Sequence, residues 1–210
     1  MPVKRGRPYN LEIGSALRQA AQRVMTEEGF SSLSVDGLVN EVGTTRPSFY
    51  RRYPNVAHLA FDVIQHRFGT EPKVSGGSLP EDLLKLQRDE VAMFADPLLR
   101  NNLPGLLESV RTDASVRELY LNDFIKPRRA NVHAVLDAAV SRGEIVQGQG
   151  DVDWICDLLL SPILTRALLP TPGGLSDELA RRTAQLALNE LDRSHTGLGR
   201  LSQFTPGLAS

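Results

Sequence analysis

Apolar residues recur at helical spacing along most of the chain, and this periodicity limits the available folds more than any other feature. Near the N-terminus the recurring positions are Ile13, Leu17, Ala20, Ala21 and Val24. They fall at i, i+4, i+7, i+8 and i+11, which places them on one face of an α-helix. No stretch alternates polar and apolar residues over a useful length, as a half-buried strand does. The sequence therefore predicts an all-α fold.

Start signals divide this pattern into about nine helices. Ser34, Thr45 and Asn55 are predicted to cap the second, third and fourth helices, because their side chains accept hydrogen bonds from free amides at a helix start. Pro127 and Pro162 fall inside two later helices, where kinks or local breaks are expected. The predicted helices cover about 10–28, 35–42, 46–52, 56–68, 80–94, 98–111, 115–142, 152–169 and 176–193.

The helices group into a small head and a larger body. The predicted units are a basic arm and three-helix head (residues 1–54), a helical body (residues 55–193) and a mobile tail (residues 194–210). The fourth helix, at about residues 55–68, is expected to connect head and body. Residues 69–79 are rich in Gly, Pro and Ser and form a short linker after it.

Charge is unevenly distributed along the chain, although the net charge is only −1. Residues 1–68 hold 9 Lys and Arg against 6 Asp and Glu, whereas residues 69–210 hold 15 against 19. This asymmetry is typical of a head that meets nucleic acid, carried on a body with a different role.

Cysteine content and hydropathy favour a cytoplasmic protein. The single cysteine, Cys156, excludes an intramolecular disulfide and is typical of a reducing compartment. The first ten residues are charged and lack the apolar stretch of a signal peptide. The longest apolar runs are too short to span a bilayer.

The densest chemical feature is GTTRPSFYRRYPN, residues 43–55. The two helices joined through VGTT have the length and turn chemistry of a helix-turn-helix. Projected at about 100° per residue, Phe49 and Tyr53 face the first two helices, while Pro47, Tyr50 and Arg51 face away. Arginine can bind guanine bidentately, and hydroxyls and N-terminal amides can hold phosphates. The outward side therefore predicts a surface that enters a major groove.

The segment TEEGFSSLSVDGLVNEVGTTRPSFYRRYPNVAHLAFDVI resembles the DNA-binding region of TetR-family transcriptional regulators. Two positions depart from the family pattern. Val56 stands where the family often has a phosphate-contacting lysine, and Gly37 replaces the acidic residue that could complete a capping box. The segments FIKPRRANVHAVLDAAVSRGEI and DLLLSPILTRALL resemble, more loosely, one of the family's C-terminal domain types. The matching positions within about residues 10–68 are Gly29–Phe30, Ser34–Val35, Gly43–Thr45 and Phe49–Tyr53.

The resemblance implies a TetR-like fold and a DNA-binding transcriptional regulator, here a repressor that a small-molecule effector releases from a palindromic operator. The expected partners are double-stranded operator DNA, a second copy of the chain and an apolar effector. No cofactor, metal, membrane contact or enzymatic activity is expected. The basic arm either reaches an adjacent minor groove or is a solvated tail. The candidate DNA-binding residues are Lys4, Arg5, Arg7, Ser34, Thr44, Thr45, Arg46, Pro47, Ser48, Tyr50, Arg51 and Asn55.

Two sets of apolar body residues complete the interpretation, although most such residues in any bundle are simply core. The first set is predicted to line an effector pocket between helices, and the second to pair the last two long helices with their two-fold copies. The pocket candidates are Met93, Phe94, Leu103, Leu107, Tyr120, Phe124 and Trp154. The interface candidates are Ile155, Leu159, Ile163, Leu179, Thr183 and Leu186.

Two other functions stay open from the sequence alone. The chain could be a small helical enzyme or metabolite-binding protein with a structural helix-turn-helix, or a DNA-binding dimer without an effector. The first alternative is disfavoured because no Ser–His–Asp arrangement, Gly-rich phosphate loop or Cys/His cluster is present. His58, Asp62 and His66 share a helix face at a spacing that could hold a metal, but an exposed polar stripe is favoured. Cys156 is predicted to be a small buried hydrophobic residue.

Overall fold

The computed structural model describes residues 8–69, 76–169 and 171–195. Within those ranges the secondary structure is helical throughout, without a strand. Because α7 and α8 continue into each other through a π-helical stretch, the segments form nine separate helices, as predicted. The segments are α1 (Pro8–Glu27), a 3-10 turn (Phe30–Ser32), α2 (Val35–Val42), α3 (Arg46–Tyr50), α4 (Val56–Phe68), α5 (Leu79–Ala95), α6 (Pro97–Thr112), α7 (Ala114–Leu119), the π-helical stretch (Tyr120–Ile125), α8 (Lys126–Ser141), α9 (Val152–Leu168) and α10 (Asp177–His195).

The three predicted capping residues start the helices of the head. Ser34 Oγ accepts from the amide of Gly37 at 3.1 Å, and Asn55 Oδ1 accepts from the amide of His58 at 3.1 Å. Thr45 Oγ1 accepts more weakly, from an amide 3.4 Å away. Gly43 ends α2 at φ 67°, a left-handed conformation that favours glycine. The turn between α2 and α3 is therefore fixed by local sequence.

The two prolines singled out in the body behave differently from each other. Pro127 lies directly after the π-helical stretch, where the amide of Lys126 donates to Leu121 O, five residues back. Pro162 lies inside α9, where a kink or local break was possible, and the helix continues through it without a break. Contacts with α5, α6, α8 and α10 surround α9, so packing on several sides holds a helix that has lost one backbone donor.

One hydrophobic core extends from the head into the body. It contains Leu17 and Phe49 of the head, Ile64 of α4, and Phe94 and Ile163 of the body. A second cluster lies between α5, α8, α9 and α10 at the far end of the body. Since α1 packs against both α4 and α6, the head contacts the body directly as well as through the connector.

Polar and close contacts fasten this junction at three points. Asn102 of α6 is fully buried, and its Nδ2 donates to Met25 O at 2.9 Å and to Leu98 O at 2.7 Å. Met25 O is one of the last four carbonyls of α1, which a helix leaves without intrahelical donors. Gly105 lies against Phe30, because a Cβ at that position would be 2.5 Å from the ring. Asn55 Nδ2 donates to Asp113 Oδ2 at 2.9 Å.

None of the helices in the described ranges is long and apolar enough to cross a membrane.

We expect Asn102→Ala to lower the free energy of unfolding by about 2 kcal/mol, because it leaves two buried carbonyls without this donor and opens a small cavity. The neighbouring Asn101 is exposed and provides a matched control. Asn101→Ala should change the stability by less than about 0.5 kcal/mol. Urea unfolding followed by circular dichroism measures both, and equal effects of the two variants would contradict the role given to Asn102.

Candidate nucleic-acid interface

The orientation of α3 is set by Phe49, which is fully buried beneath it. The rings of Tyr50 and Tyr53 lie 5.6 and 5.8 Å from the Phe49 ring. Tyr53 is half-buried, and its hydroxyl donates to Asp62 Oδ2 at 2.5 Å. On the opposite side Pro47 and Arg51 are exposed, and Tyr50 is 55% exposed. The helix therefore presents the side that the sequence predicted.

The network behind α3 anchors it to α1 and α4. Arg18 of α1 donates to Asp62 at 3.3 Å, so one carboxylate of α4 binds both this arginine and Tyr53. Burial, with the Asp62 carboxylate beside it, raises the pKa of Tyr53 to about 12. The phenol stays protonated and donating at neutral pH.

Arg46 is held at the start of α3 by a carboxylate on α2. Its Nε and Nη2 donate to the two carboxylate oxygens of Asp36, an arrangement with both side chains more than half exposed. The hydrogen bonds from Arg46 lower the pKa of Asp36. A bidentate pair of this kind restricts the guanidinium before any ligand arrives. No local sequence signal indicates this pairing, because the two residues are ten positions apart on different helices.

The other two arginines of the motif differ in exposure. Arg51 is exposed, and its Nη2 donates to Ser48 Oγ at 3.2 Å. Arg52 is half-buried, and its Nη1 donates to Ser48 O at 2.7 Å. A Cβ on Gly14 would lie 3.9 Å from Arg52 Nε, which places this arginine on the α1 side. Arg51 is therefore the second arginine available on the outward surface.

Most of the predicted DNA-binding residues lie along the α2–α3 turn and the outward side of α3. Ser34 and Thr45 are exposed, while Thr44 and Ser48 are half-buried. Lys4, Arg5 and Arg7 lie outside the described residues. Val56 packs against the core, so the position where the family often has a lysine carries no cation here.

Asn55 is the exception within the predicted set. Its Oδ1 accepts from the amide of His58, and its Nδ2 donates to Asp113, which caps the start of α7. Both atoms of the amide are thus engaged in joining α4 to the body. The structure corrects the expectation of a DNA contact at this position, because the side chain already caps α4 and binds Asp113.

The face of α4 that carries His58, Asp62 and His66 is also engaged in protein contacts. His58 Nδ1 lies 2.9 Å from Asn55 Oδ1, and Asp62 binds Arg18 and Tyr53. In the part of the chain that the structure describes, no group of three or more His, Cys, Asp and Glu side chains could hold a metal ion.

The predicted pocket residues do not form one lining. Phe94, Leu103 and Phe124 are buried in the core, and Leu107 and Tyr120 pack against it. Trp154 is 50% exposed at the start of α9, which corrects its assignment to a pocket. Met93 lines a cavity of about 390 Å³ together with residues of α4, α5 and α8. Apolar character alone does not distinguish a residue beside a cavity from one inside the core.

The predicted interface residues also need correction. Five of the six are buried within the single chain, because they form the inner faces of α9 and α10: Ile155, Leu159, Ile163, Leu179 and Thr183. Leu186 is 44% exposed. The exposed residues of α9 are Asp153, Trp154, Asp157, Ser161 and Thr165, while Leu158 and Pro162 are half-buried. Trp154 is 50% exposed, and Leu169, directly after the end of α9, is 58% exposed, so a large apolar side chain faces solvent at each end of the helix.

We expect Arg46→Gln to raise the pKa of Asp36 toward its ordinary value, because the guanidinium that stabilises the carboxylate is removed. Arg23→Gln is a matched control, since Arg23 lowers the pKa of Glu41 through a separate ion pair. It should raise the pKa of Glu41 and leave Asp36 unchanged. NMR titration of the carboxyl carbons measures the pKa of both groups. An Asp36 pKa that is unchanged in Arg46→Gln would contradict the pairing.

Comparison with known proteins places this geometry in a family. A family model described as "Tetracyclin repressor-like, C-terminal domain" matches residues 75–187. A second, described as "Bacterial regulatory proteins, tetR family", matches residues 17–63. Together the two models cover both the helix-turn-helix and most of the body.

Individual relatives agree with this assignment. The uncharacterized HTH-type transcriptional regulator YdeS of Bacillus subtilis is 25% identical over 170 residues, which cover 80% of this chain and 85% of the relative. The uncharacterized HTH-type regulator Mb1581 of Mycobacterium bovis is 26% identical over 178 residues, 82% of this chain and 84% of the relative. The crystal structure of the TetR family transcription regulator SCO0332 superposes with a TM-score of 0.67 at 24% identity, covering 86% of this chain and 97% of that one. The chain therefore belongs to the TetR family of DNA-binding transcriptional regulators.

Proposed function

We propose that the protein is a homodimeric cytoplasmic repressor that binds a palindromic operator through α3 and leaves it when a small molecule enters the body. The observation that carries this proposal is the seating of α3. Phe49 is buried on one side, while Arg46, Tyr50 and Arg51 are exposed on the other. A short helix whose exposed first turn carries an arginine suits the major groove. The function is binding rather than catalysis.

Within the half-site we assign different roles to the exposed side chains. Arg46 contacts a guanine, because Asp36 engages Nε and Nη2 and so restricts the guanidinium. The terminal edge, formed by Nη1 and the second hydrogen of Nη2, can then donate to guanine O6 and N7. Arg51 and Tyr50 contact phosphates, which positions α3 without specifying sequence. The two α3 helices of a dimer then enter successive major grooves roughly 34 Å apart.

Dimerisation buries the outward faces of α9 and α10. Trp154 is exposed at the start of α9, Leu169 is exposed directly after its end, and Leu186 is exposed on α10. A two-fold contact brings the same patch of each copy together, so these side chains supply both halves of the interface. The helices are those that the sequence indicated, with the opposite faces in contact.

Effector binding in the body acts on the head through the junction between them. Asn55 at the start of α4 is hydrogen-bonded to Asp113 at the start of α7, and α7 continues through the π-helical stretch into α8. A ligand that shifts α8 alters the support of α4 and hence the spacing of the heads. A coupling of about 1–3 kcal/mol is sufficient for useful regulation.

Variants of Arg46 and Arg51 should distinguish the arginine that recognises a base from the one that binds phosphate. Selection of bound sequences from a random duplex pool should yield a palindrome. Against that operator, Arg46→Gln should lose about 1–3 kcal/mol of discrimination at one position, while Arg51→Gln should weaken all sequences and reduce the salt slope by about 1. Arg111→Gln, at an arginine 81% exposed on α6, is the control and should leave both quantities unchanged. Gel-shift titrations over a salt series measure the base discrimination and the salt slope. Unchanged binding in both head variants would contradict the proposal.

Two variants, each with a glutamate in place of an exposed apolar side chain, test the position of the dimer interface. Trp154→Glu should weaken dimerisation by at least about 2 kcal/mol, because the carboxylate loses hydration in the interface. Leu121→Glu, at a leucine 50% exposed on the π-helical stretch, should leave the dimer intact. Sedimentation equilibrium measures both association constants. A dimer that tolerates Trp154→Glu as well as Leu121→Glu would move the interface elsewhere.

A further inference from the structure

Two cavities in the body meet at one ion pair. The larger, here the open cavity, has a volume of about 390 Å³ and lies between the end of α4, α5 and the start of α8. The smaller, here the apolar cavity, has about 80 Å³ and lies between α5, α8 and α9. Leu86, Glu90 and Arg128 line both cavities. The Glu90–Arg128 pair therefore stands at the boundary between a polar chamber and an apolar one.

Arg128 is largely buried and only partly satisfied. Its guanidinium lies 3.6 Å from the centre of the Phe124 ring, and Nη1 donates to Phe124 O at 2.7 Å. Nη2 contacts the thioether sulfur of Met93 at 2.7 Å, a weak acceptor. Nε lies 3.6 Å from Glu90 Oε2, within ion-pair range but beyond a hydrogen bond, and has no hydrogen-bond acceptor among the residues that the structure describes. Burial lowers the pKa of Arg128.

Two amide side chains add unused acceptors beside this cation. Gln87 lines the apolar cavity and is 2% exposed, and its Oε1 accepts no hydrogen bond within the described ranges of the chain. Asn131 lines the open cavity, and its Oδ1 likewise accepts none within those ranges. Buried polar groups are normally paired, so a donor and two acceptors left open around one space require an explanation. A ligand that both donates and accepts hydrogen bonds supplies it.

Each charged side chain that lines a cavity has an opposite charge beside it. Arg67 binds Asp96 at 3.2 Å, Asp89 binds Lys85 at 3.3 Å, and Arg128 pairs with Glu90. Arg129, in the apolar cavity, binds Asp153 at 2.8 Å and Asp157 at 2.5 Å. A cationic head group would repel Arg128, and an anionic one would repel Glu90. Because either charge would also lose its hydration, the lining favours an uncharged ligand.

We propose that the two cavities form one site for a small uncharged amphiphile with a hydroxyl or equivalent head group. The hydroxyl donates to Gln87 and accepts from Arg128 Nε, and the hydrocarbon part lies against Val132, Leu159 and Ile163 in the apolar cavity. The open cavity is the entrance, and Asn131 binds any second hydroxyl there. That this ligand is the effector rests on the proposed function; the binding site itself does not.

Three probes with one tail and different heads test this chemistry on the full chain. Ligand-observed NMR titration at neutral pH compares 1-hexanol, hexanoate and hexylamine, which carry no charge, a negative charge and a positive charge. We expect saturable binding of 1-hexanol, at least about tenfold tighter than that of either charged probe. Equal affinities for the three probes, or no saturable binding of 1-hexanol, would overturn the proposal, the latter meaning that the cavities hold water only.

Variants then assign the contacts. Gln87→Leu keeps the size of the side chain and should weaken 1-hexanol binding about fivefold, because the acceptor is removed. Glu90→Gln leaves Arg128 without its counter-charge and should turn the preference toward hexanoate. Glu108→Gln makes the same change at a glutamate 65% exposed on α6 and should alter neither value. If Glu90→Gln does not fold, Gln87→Leu decides, and unchanged 1-hexanol binding in that variant contradicts the proposed site.

A separate operator titration distinguishes the two proposals. If the protein binds its operator but not 1-hexanol, the repressor proposal stands and the proposed ligand site is wrong. If it binds 1-hexanol with the expected variant pattern but binds no operator, the ligand site stands and the repressor proposal is wrong. If both bind and 1-hexanol leaves operator affinity unchanged, the site is not the effector site, and that assignment is withdrawn.

Discussion

The burial of Phe49 is the constraint on which the DNA-facing surface depends. α3 has only five residues, too few to be stable as an isolated helix, so its conformation is held by contacts from outside it. Phe49 supplies those contacts with a fully buried ring, and Thr45 and Gly43 fix the entry to the helix. Because the Phe49 ring is buried in the core, the rotation of α3 about its own axis is fixed. Arg46, Tyr50 and Arg51 are outside because Phe49 is inside.

The head is not an independent unit attached by a linker. Its core continues into that of the body, and Asn102 and Gly105 of α6 receive the end of α1 and the ring of Phe30. Asn55 and Asp113 join the starts of α4 and α7. The continuous helix formed by α7, the π-helical stretch and α8 begins beside Asp113 and contains Arg128. The head and the proposed ligand site are therefore supported by the same element. This shared support is the physical basis for the regulation proposed above.

The sequence predicted the helices well because the signals for them are local. Ser34, Thr45 and Asn55 cap helices in the structure as their neighbours in sequence require, and the buried face of α1 follows the spacing of Leu17, Ala21 and Val24. Predictions failed where a residue's role depends on an element far away in sequence. The sequence predicts a DNA contact at Asn55 because its partner Asp113 is 58 residues away. It predicts a pocket position for Trp154 because aromatic character does not reveal which side of α9 is covered.

The sequence by itself determined the fold class, the order and bounds of the helices, and the side of α3 that carries the basic and hydroxyl groups. Periodicity and capping act within a few residues, so they can be read without knowing the rest of the molecule. Only the tertiary structure decided which residues of α9 are core and which are exposed, and that Asp36 holds Arg46. It also decided that Gln87, Glu90 and Arg128 meet around one space. These outcomes depend on which helices pack together, and the energy of that packing comes from all of the buried surfaces at once.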